Sequence, residues 1–372
     1  MKGGTAEPMN LITRQAILRK YVRMQPIERT SPPSNAIKDK VLISPHGIGI
    51  GTLARALRAG GVHAAACSLY QDQYSYLSDI CLNLNQHPMV LRKAIRDAFL
   101  EEALETYDIF HFRFGATFTG DKRDLKTMAA RGKKLVVHHC GDEARILSVA
   151  RSFNNPYVQS REAWPEERIR ANMKLLTACV DHVIINDHEL LPHVESYYKR
   201  VHIVPYAIDA KQFKPEYPSP NATPLVVHAP SHRRVKGTDF VLNAVERLQK
   251  EGHKFQFQLV EKMPHEQAKQ LYQKATIVID QLTVGTYANL SMEAMAMGKP
   301  VICHIREDLR DSFPPGLPIV GANPDTIYEV LRDVLRRPDE WGRLGAAGRR
   351  YVEQNHNYEK VARMLIDVYK QL

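Results

Sequence analysis

The chain has 372 residues, of which 44% are hydrophobic and 25% charged, and its formal net charge is +10. The length suggests two domains, and the composition is typical of a soluble globular protein. No apolar run approaches the roughly 18 residues of a membrane span, and the first residues lack the layout of a signal peptide.

The five scattered cysteines form no Cys-x-x-Cys pair. This argues against a zinc site or a disulfide framework and suits a reducing cytoplasm. Residues 1–40 hold eight Lys or Arg against three Asp or Glu. Basic chains favour nucleic acid, anionic lipid or phosphorylated ligands. Because no zinc finger or aromatic RNA-binding sequence is present, we expect no nucleic-acid partner, and we rank a phosphorylated ligand or an anionic membrane surface higher.

Residues 1–37 form a basic N-terminal extension and linker. Within it, residues 10–24 predict a short amphipathic helix. Such a helix can anchor the chain to a membrane surface, but it can equally pack on the first domain or belong to a disordered tail. The sequence TSPPSN at residues 30–35 is a predicted linker.

The first domain is predicted to span residues 38–204. Lys40–Ser44 is an apolar strand, Pro45–Gly51 a glycine-rich turn, Thr52–Ala59 a helix and Val62–Tyr70 the next strand. This β–loop–α–β unit opens a doubly wound parallel sheet. Further predicted elements are a helix at 89–105 and strands at 107–112, 134–138, 182–186 and 201–204.

Residues 205–224 contain five prolines and read as an interdomain hinge. The βα pattern then restarts over residues 225–355, which predicts a second Rossmann-like domain. Its predicted strands are 225–228, 255–260, 275–280, 300–304 and 317–320. The predicted helices that follow the hinge are 239–251, 265–273, 290–297, 325–336, 338–354 and 358–371.

The stretch from Asp280 to Ile302 is the most informative part of the sequence. A strand breaks into a Gly/Asn loop, a helix carrying Glu293 follows, and Gly298-Lys299-Pro300 leads into another strand. A helix start offers free N–H groups and a positive dipole end to a phosphate. A carboxylate on that helix can accept hydrogen bonds from the hydroxyls of a ribose. Together these features predict a nucleotide-sugar site.

This stretch resembles the donor-binding signature of family-4 retaining glycosyltransferases, E-x7-E followed by A-M-A-x-G-x-P-V. The matching residues are Glu293, Ala294, Met295, Ala296, Gly298, Pro300 and Val301. The first Glu of the signature falls on Gly285. The segment VPYAIDAKQFKP, residues 204–215, is similar to the family's interdomain sequence V-P-N-G-x-D-x-x-x-F-x-P. The resemblance implies an α/β GT-B fold, in which two Rossmann-like doubly wound parallel-sheet domains face a central cleft and a C-terminal helix, residues 356–372, returns to the first domain.

The resemblance assigns donor-binding roles in the second domain. Lys236 and Gly237 match the family's K-G, and the lysine would stabilise charge on the departing diphosphate. The family's arginine falls on Ser231, so Arg233 or Arg234 from the same loop is expected to replace it. Glu293 would bind the ribose. The loop residues that would offer backbone N–H groups to phosphate or sugar are Gly285, Thr286, Tyr287, Ala288 and Asn289. Asp280 and Glu261 are candidates to replace the missing Glu.

In the first domain, Gly47 and Gly49 lie in a loop that corresponds to the family's first glycine-rich loop, where backbone approaches the donor phosphates and the acceptor. No G-K-[ST] follows, so this is not a P-loop. Residues 136–145, VVHHCGDEAR, resemble the family's H-G-S-D-x-R segment. Its histidine maps to His139 or, by strict spacing, to Cys140, and His139 is our candidate for hydrogen bonding to the sugar or shuttling a proton. Packing or solvation at the strand end is the alternative.

The resemblance therefore implies a retaining glycosyltransferase that uses a nucleotide-diphosphate sugar, with UDP ranked before GDP. The acceptor would be a glycan or a lipid-linked sugar of bacterial surface polysaccharide. We expect no D-x-D metal site, no cofactor beyond the donor, and a cytoplasmic location that allows contact with the inner face of the cell membrane. The alternatives are an inactive GT-B scaffold that binds a glycan or a protein, suggested by Gly285 and Ser231, and a GT-B epimerase or phosphorylase.

Overall fold

The computed structural model describes residues 9–26, 37–45, 47, 49–71, 78–153, 155–221 and 223–372. The linker predicted at residues 30–35 lies outside them, as do His46 and Ile48 of the glycine-rich turn. Within these ranges, no helix has the length and apolar character needed to cross a membrane.

The first half of the chain builds an eight-stranded sheet. Its strands are β1 (Arg23–Met24), β2 (Val41–Ser44), β3 (Ala64–Ser68), β4 (Ile80–Cys81), β5 (Ile109–Arg113), β6 (Lys134–His138), β7 (His182–Ile185) and β8 (Arg200–Ile203). Their order is β1-β4-β3-β2-β5-β6-β7-β8. All neighbours are parallel except β1 and β4. The fully buried β2 and β5 are nearly continuous apolar runs, as expected for strands covered on both faces.

Helices cover this sheet. They are α1 (Leu11–Tyr21), α2 (Ile50–Ala59), α3 (Met89–Thr106), α4 (Arg123–Ala130), α5 (Leu147–Ser152), α6 (Glu166–Thr177) and α7 (Leu191–Val194). The predicted strands and helices of this half are confirmed to within a few residues. The sequence interpretation missed the short strands β1 and β4 and the helices α4 to α7.

The N-terminal helix α1 packs against α3. Leu18 is buried in the core that lies under the helix, and the guanidinium of Arg14 donates to the Glu105 carboxylate over 2.7 and 2.6 Å. Leu11 and Ile12 remain exposed at its start. Of the alternatives that the sequence allowed for this segment, the structure shows the packed helix.

The second half builds a five-stranded, wholly parallel sheet with the order β10-β9-β11-β12-β13. Its strands are β9 (Leu225–His228), β10 (Gln256–Leu259), β11 (Ile277–Ile279), β12 (Val301–Cys303) and β13 (Val320–Gly321). Its helices are α8 (Arg233–Lys236), α9 (Thr238–Lys250), α10 (His265–Lys274), α11 (Asn289–Ala296), α12 (Glu307–Arg310), α13 (Ile327–Leu335) and α14 (Pro338–Asn355). The last strand begins at Val320, where the prediction placed its end.

The last helix, α15 (Tyr358–Tyr369), lies on the first sheet. Leu365 and Tyr369 share a hydrophobic core with Ile43 of β2 and Leu57 of α2. The Tyr369 hydroxyl lies 2.7 Å from Nδ1 of His111 on β5. The chain therefore crosses back to its first half after completing the second sheet.

Side chains also join the two halves directly. The Asn155 amide donates to the carbonyl oxygens of Thr283 and Val284, at 2.9 and 3.0 Å. The Thr286 hydroxyl donates to the Asp187 carboxylate at 2.8 Å. These contacts hold the carboxyl ends of the two sets of strands against one space, which is where parallel sheets bind ligands.

Candidate active site

A cleft of about 500 Å³ lies between the two halves. Residues that follow β5, β6 and β7 line one wall, and residues that follow β9, β10 and β11 line the other. The predicted site residues on its surface are Gly47, Ser231, Lys236, Thr286, Tyr287, Ala288, Asn289 and Glu293. The cleft surface does not include the predicted site residues Gly49, His139, Arg233, Arg234 and Gly285.

Glu293 lies on α11, whose first residues follow directly from the loop after β11. Its side chain is nearly buried, and both carboxylate oxygens contact Nε2 of His265 at 2.8 and 3.0 Å. His265 begins α10 and also lines the cleft. The sequence interpretation missed His265, because nothing in its local sequence distinguishes it from any residue at a helix start.

The loop before α11 lines the cleft, and two of its side chains are anchored to other parts of the protein. Tyr287 is buried, and its hydroxyl lies 2.9 Å from Nε2 of His356. Thr286 bonds to Asp187 across the two halves. Ala288 and Asn289 contribute to the cleft surface where the helix begins. The N–H of Ser291 in the first turn already donates to Oδ2 of Asp280 at 3.3 Å. The N–H groups of the two residues before it, Asn289 and Leu290, are those that a phosphate at this helix start can use.

Lys236 reaches the cleft at the end of α8. Its ammonium lies 3.0 Å from Oδ1 of Asp280 and 2.7 Å from Oε1 of Gln281. Asp280 is fully buried, and its other oxygen accepts from the Ser291 hydroxyl at 2.7 Å. Burial acts to raise the pKa of Asp280, but Lys236 and Ser291 outweigh it and hold the pKa below its ordinary value. Asp280 is thus the counter-ion of Lys236, and it does not lie on the cleft surface where a sugar would bind.

The arginines expected beside Ser231 point elsewhere. Arg233 is exposed and pairs with Glu261 at 2.8 Å, and Arg234 is exposed and donates to Oε1 of Gln159 at 3.0 Å. Their positions do not match the diphosphate role predicted for them. Glu261 lines the cleft, but its carboxylate is occupied by this ion pair.

The arginine that does lie beside Ser231 is Arg161, from the other half of the chain. Its guanidinium donates to the Ser231 hydroxyl at 3.5 Å and forms an ion pair with Asp142. Arg161 lines the cleft. It lies in an irregular segment 70 residues before Ser231, so no local spacing in the sequence could have indicated the contact.

His139, the candidate for hydrogen bonding to the sugar or shuttling a proton, does not lie on the cleft surface. It is fully buried, with Nε2 at 2.9 Å from the Tyr198 hydroxyl and Nδ1 at 3.4 Å from the Glu143 carboxylate. Neighbouring residues of an extended segment point in opposite directions, and here it is Cys140 that faces the cleft. Burial raises the pKa of the Cys140 thiol to about 11, so it is uncharged near neutral pH.

Three charged residues on the first wall were also missed. Arg113 ends β5, Asp187 follows β7, and Arg145 lies beyond β6, and all three line the cleft. Arg145 is the last residue of the segment VVHHCGDEAR, and its guanidinium makes two bonds to Glu189, at 2.7 and 2.9 Å. Burial and the nearby Glu189 raise the pKa of Asp187 to about 6. Charged residues directly after apolar strands are the signal that could have identified Arg113 and Asp187.

In the part of the chain that the structure describes, no three His, Cys, Asp or Glu side chains are grouped so as to hold a metal ion.

The fold formed by these two Rossmann-like sheets and the cleft between them is GT-B, as comparison with solved structures shows. Sucrose-phosphate synthase from Thermosynechococcus elongatus superposes with a TM-score of 0.64 at 18% identity, covering 89% of this chain and 98% of that one. HepE from Anabaena, in complex with UDP and glucose, superposes with a TM-score of 0.61 at 13% identity. The match covers 90% of this chain and 100% of HepE. An alpha-glucosyltransferase in complex with UDP-glucose and DNA superposes with a TM-score of 0.59 at 11% identity. The match covers 89% of this chain and 99% of the alpha-glucosyltransferase.

The sequence of the second half carries a family match of its own. Residues 229–367 match the model of a family described as glycosyl transferase-like. This range contains Ser231, Lys236, His265 and Glu293, which are among the residues that line the second wall of the cleft. No functionally curated protein matches the chain in sequence.

Proposed function

We propose that this protein is a glycosyltransferase that binds a nucleotide-diphosphate sugar, with UDP as the nucleotide, in the cleft between its halves. The observation that carries the proposal is that Lys236, Glu293 and the start of α11 face one cleft from the half of the chain that matches the glycosyl transferase-like family. The solved structures of HepE and of the alpha-glucosyltransferase, described with UDP and UDP-glucose, share this fold and support the choice of nucleotide.

In the proposed complex the ribose lies at Glu293, whose carboxylate accepts hydrogen bonds from its hydroxyls. His265 already contacts both carboxylate oxygens and would hold the side chain toward the cleft. The diphosphate lies between Lys236 and the first N–H groups of α11. The resemblance places an arginine at position 231, which is a serine here. The guanidinium of Arg161 reaches the Ser231 hydroxyl and would contact the diphosphate in place of that arginine.

The chemistry that follows is departure of the nucleoside diphosphate from the sugar. Negative charge grows on the leaving phosphate as the sugar–oxygen bond breaks, and fixed cations stabilise that charge most when water is excluded. Lys236 is fixed by Asp280 and Gln281, and Arg161 by Asp142. Both can stabilise the leaving group without first having to be ordered.

From the family resemblance we further propose that the sugar is transferred with retention of configuration, without a metal ion, to a glycan or lipid-linked acceptor bound to the first half. The resemblance also suggests a role in surface polysaccharide synthesis at the inner face of the membrane. The basic residues of the N-terminal segment support contact with an anionic membrane surface.

A second candidate, a scaffold that binds a nucleotide sugar or glycan without turnover, is favoured by one observation. Position 285, where the resemblance places a sugar-binding Glu, is a glycine whose space is taken by Arg306. The two candidates differ in whether nucleotide is released from a bound donor.

The test is release of UDP from UDP-glucose, UDP-galactose and UDP-N-acetylglucosamine, with and without bacterial glycan and lipid acceptors. We expect release by the wild type that is lost in Lys236→Met and kept in Lys274→Met, which changes an exposed lysine. Binding of UDP with no release under any condition would establish the scaffold instead. Conversion of the donor sugar without UDP release or acceptor would indicate an epimerase.

A further inference from the structure

Arg113 differs from every other arginine in the cleft by lacking an acidic partner. It ends β5 in the middle of the first sheet and is 5% exposed. One guanidinium nitrogen lies 3.3 Å from Nδ1 of His138, and the other lies 3.1 Å from Sγ of Cys140. By contrast, Arg145 pairs with Glu189 and Arg161 with Asp142. No carboxylate of the described residues lies within ion-pair distance of Arg113.

Both partners of Arg113 are neutral. Burial lowers the pKa of His138 well below its ordinary value and raises the pKa of Cys140 to about 11. A buried charge without a counter-ion is unfavourable because it has lost its hydration and gained no opposite charge in return. Arg113 therefore has no counter-ion among the described residues, and an anionic ligand in the cleft would supply one.

A rigid support holds the guanidinium in place. Arg113 and His138 are register partners on β5 and β6. The His138 ring also contacts Nε2 of His111 at 3.1 Å and the Asn186 amide at 2.9 Å, and His111 in turn contacts Tyr369 of α15. Buried polar groups thus fix the position of Arg113, whose side chain lines the cleft.

We infer that Arg113 binds an anionic group, a phosphate or a carboxylate, of the acceptor. The assignment to the acceptor rests on the proposed function, because that proposal places the donor phosphates at Lys236, Arg161 and α11. Arg113 belongs to the wall formed by the first sheet. The planar guanidinium offers two parallel N–H donors to a phosphate or carboxylate, a geometry that a lysine lacks. The acceptor class is thus a phosphorylated or acidic molecule and not a neutral sugar.

Inorganic phosphate and acetate serve as probes in a thermal-shift titration. Saturating UDP first fills the donor site, and sodium chloride keeps the ionic strength constant. We expect phosphate or acetate to raise the unfolding midpoint of the wild type, because an anion that binds only the folded state stabilises it. The probe that gives the larger shift identifies the anion class. Arg123→Gln, which changes an exposed arginine with a 71% exposed side chain, should behave as wild type.

In Arg113→Gln the anion-dependent shift should disappear while the affinity for UDP stays within about twofold of wild type. Without anions, the midpoint of Arg113→Gln should equal or exceed that of the wild type, because the variant removes an uncompensated buried charge. Arg113→Lys, which keeps the charge, should retain only a part of the shift.

Four results would overturn the inference: no anion-dependent shift in UDP-bound wild type, an undiminished shift in Arg113→Gln, at least tenfold weaker UDP binding in Arg113→Gln, or a midpoint lowered by several degrees in that variant. The third would assign Arg113 to the donor, and the fourth would make it a structural residue. If the wild type binds no UDP, the proposed function fails separately. Anion binding that is lost in Arg113→Gln but kept in Lys236→Gln would still locate the anion at Arg113.

Discussion

Arg306 occupies the space that a side chain at Gly285 would need. A Cβ built on Gly285 would lie 2.5 Å from Cγ and 2.8 Å from Cδ of Arg306, and the glycine has a φ of +95°. Arg306 is itself held by two bonds to the Asp308 carboxylate, at 2.9 and 2.6 Å. A side chain at position 285 is therefore incompatible with the present position of Arg306 in the neighbouring loop.

Gly285→Ala should destabilise the protein more than a positive φ alone requires. The left-handed backbone costs an L-residue roughly 1–2 kcal/mol, and the clash with Arg306 adds about 1–3 kcal/mol. Gly252→Ala is the matched control, since Gly252 has a φ of +88° and no atom within 4 Å of its built Cβ. In urea unfolding, Gly285→Ala should lose more unfolding free energy than Gly252→Ala. That difference should disappear when Gly285→Ala is made in an Arg306→Ala background. Equal losses for the two glycines would contradict the packing explanation.

Lys236 and Asp280 should be coupled in stability but not in activity. Lys236→Met leaves a buried carboxylate without its cation, and breaking such a pair costs about 3–5 kcal/mol. Adding Asp280→Asn removes the stranded charge and should recover most of that loss. UDP release should remain absent in the double variant, because the cation at the leaving group is still missing. Recovery of turnover together with stability would show that Lys236 has only a structural role.

Arg161 and Arg233 should differ in their effect on the nucleotide. Arg161→Gln removes the guanidinium beside Ser231 and should weaken UDP binding about tenfold or more, as expected for a charged hydrogen bond worth roughly 1.5–3 kcal/mol. Arg233→Gln removes an exposed side chain that pairs with Glu261, and UDP affinity should change less than about twofold. Calorimetric titration of both variants tests this. A larger loss of UDP affinity in Arg233→Gln than in Arg161→Gln would instead support the prediction from the sequence, which placed Arg233 at the diphosphate.

Buried histidines should make the protein sensitive to mild acid. Burial lowers the pKa of four of them, His193, His228, His304 and His356, to about 4 each. Unfolded histidines titrate near pH 6.5, so the unfolded state takes up protons first and stability falls as the pH drops from about 6.5 to 4. Asp187, with its pKa raised to about 6, opposes this trend as a single group.

The measurement is the free energy of unfolding in urea at several pH values between 4 and 7. The slope of the unfolding free energy against pH reports the number of protons taken up on unfolding. In His228→Gln that number should fall by up to about one between pH 4 and 6.5, because His228 no longer titrates. A stability that is constant over this range would contradict the burial of neutral histidines. An unchanged slope in His228→Gln would contradict it for that residue.

The sequence predicted most of the fold because the strands are short apolar runs separated by turns and amphipathic helices. It also predicted that Glu293 and Lys236 share a site, since both lie in local motifs that follow strands. The short strands β1 and β4, at one side of the first sheet, were missed because two residues give no periodic signal.

What the sequence did not reveal depends on contacts between distant parts of the chain. The contact of Arg161 with Ser231 and the occupation of the Gly285 space by Arg306 arise only when the chain folds. His139 and Cys140 are neighbours in a conspicuous segment, and only the direction of each side chain shows which one reaches the cleft.

Calorimetric titration of UDP into the wild type, Glu293→Ala and Glu246→Ala tests whether Glu293 belongs to a nucleotide-sugar site. Glu246 is an exposed glutamate on α9 and serves as the control. We predict that the wild type and Glu246→Ala bind UDP equally, and that Glu293→Ala binds at least about tenfold more weakly, since a hydrogen bond to a charged group contributes roughly 1.5–3 kcal/mol. UDP affinity that is unchanged in Glu293→Ala, or no binding of UDP by the wild type, would show that Glu293 is not part of a UDP site.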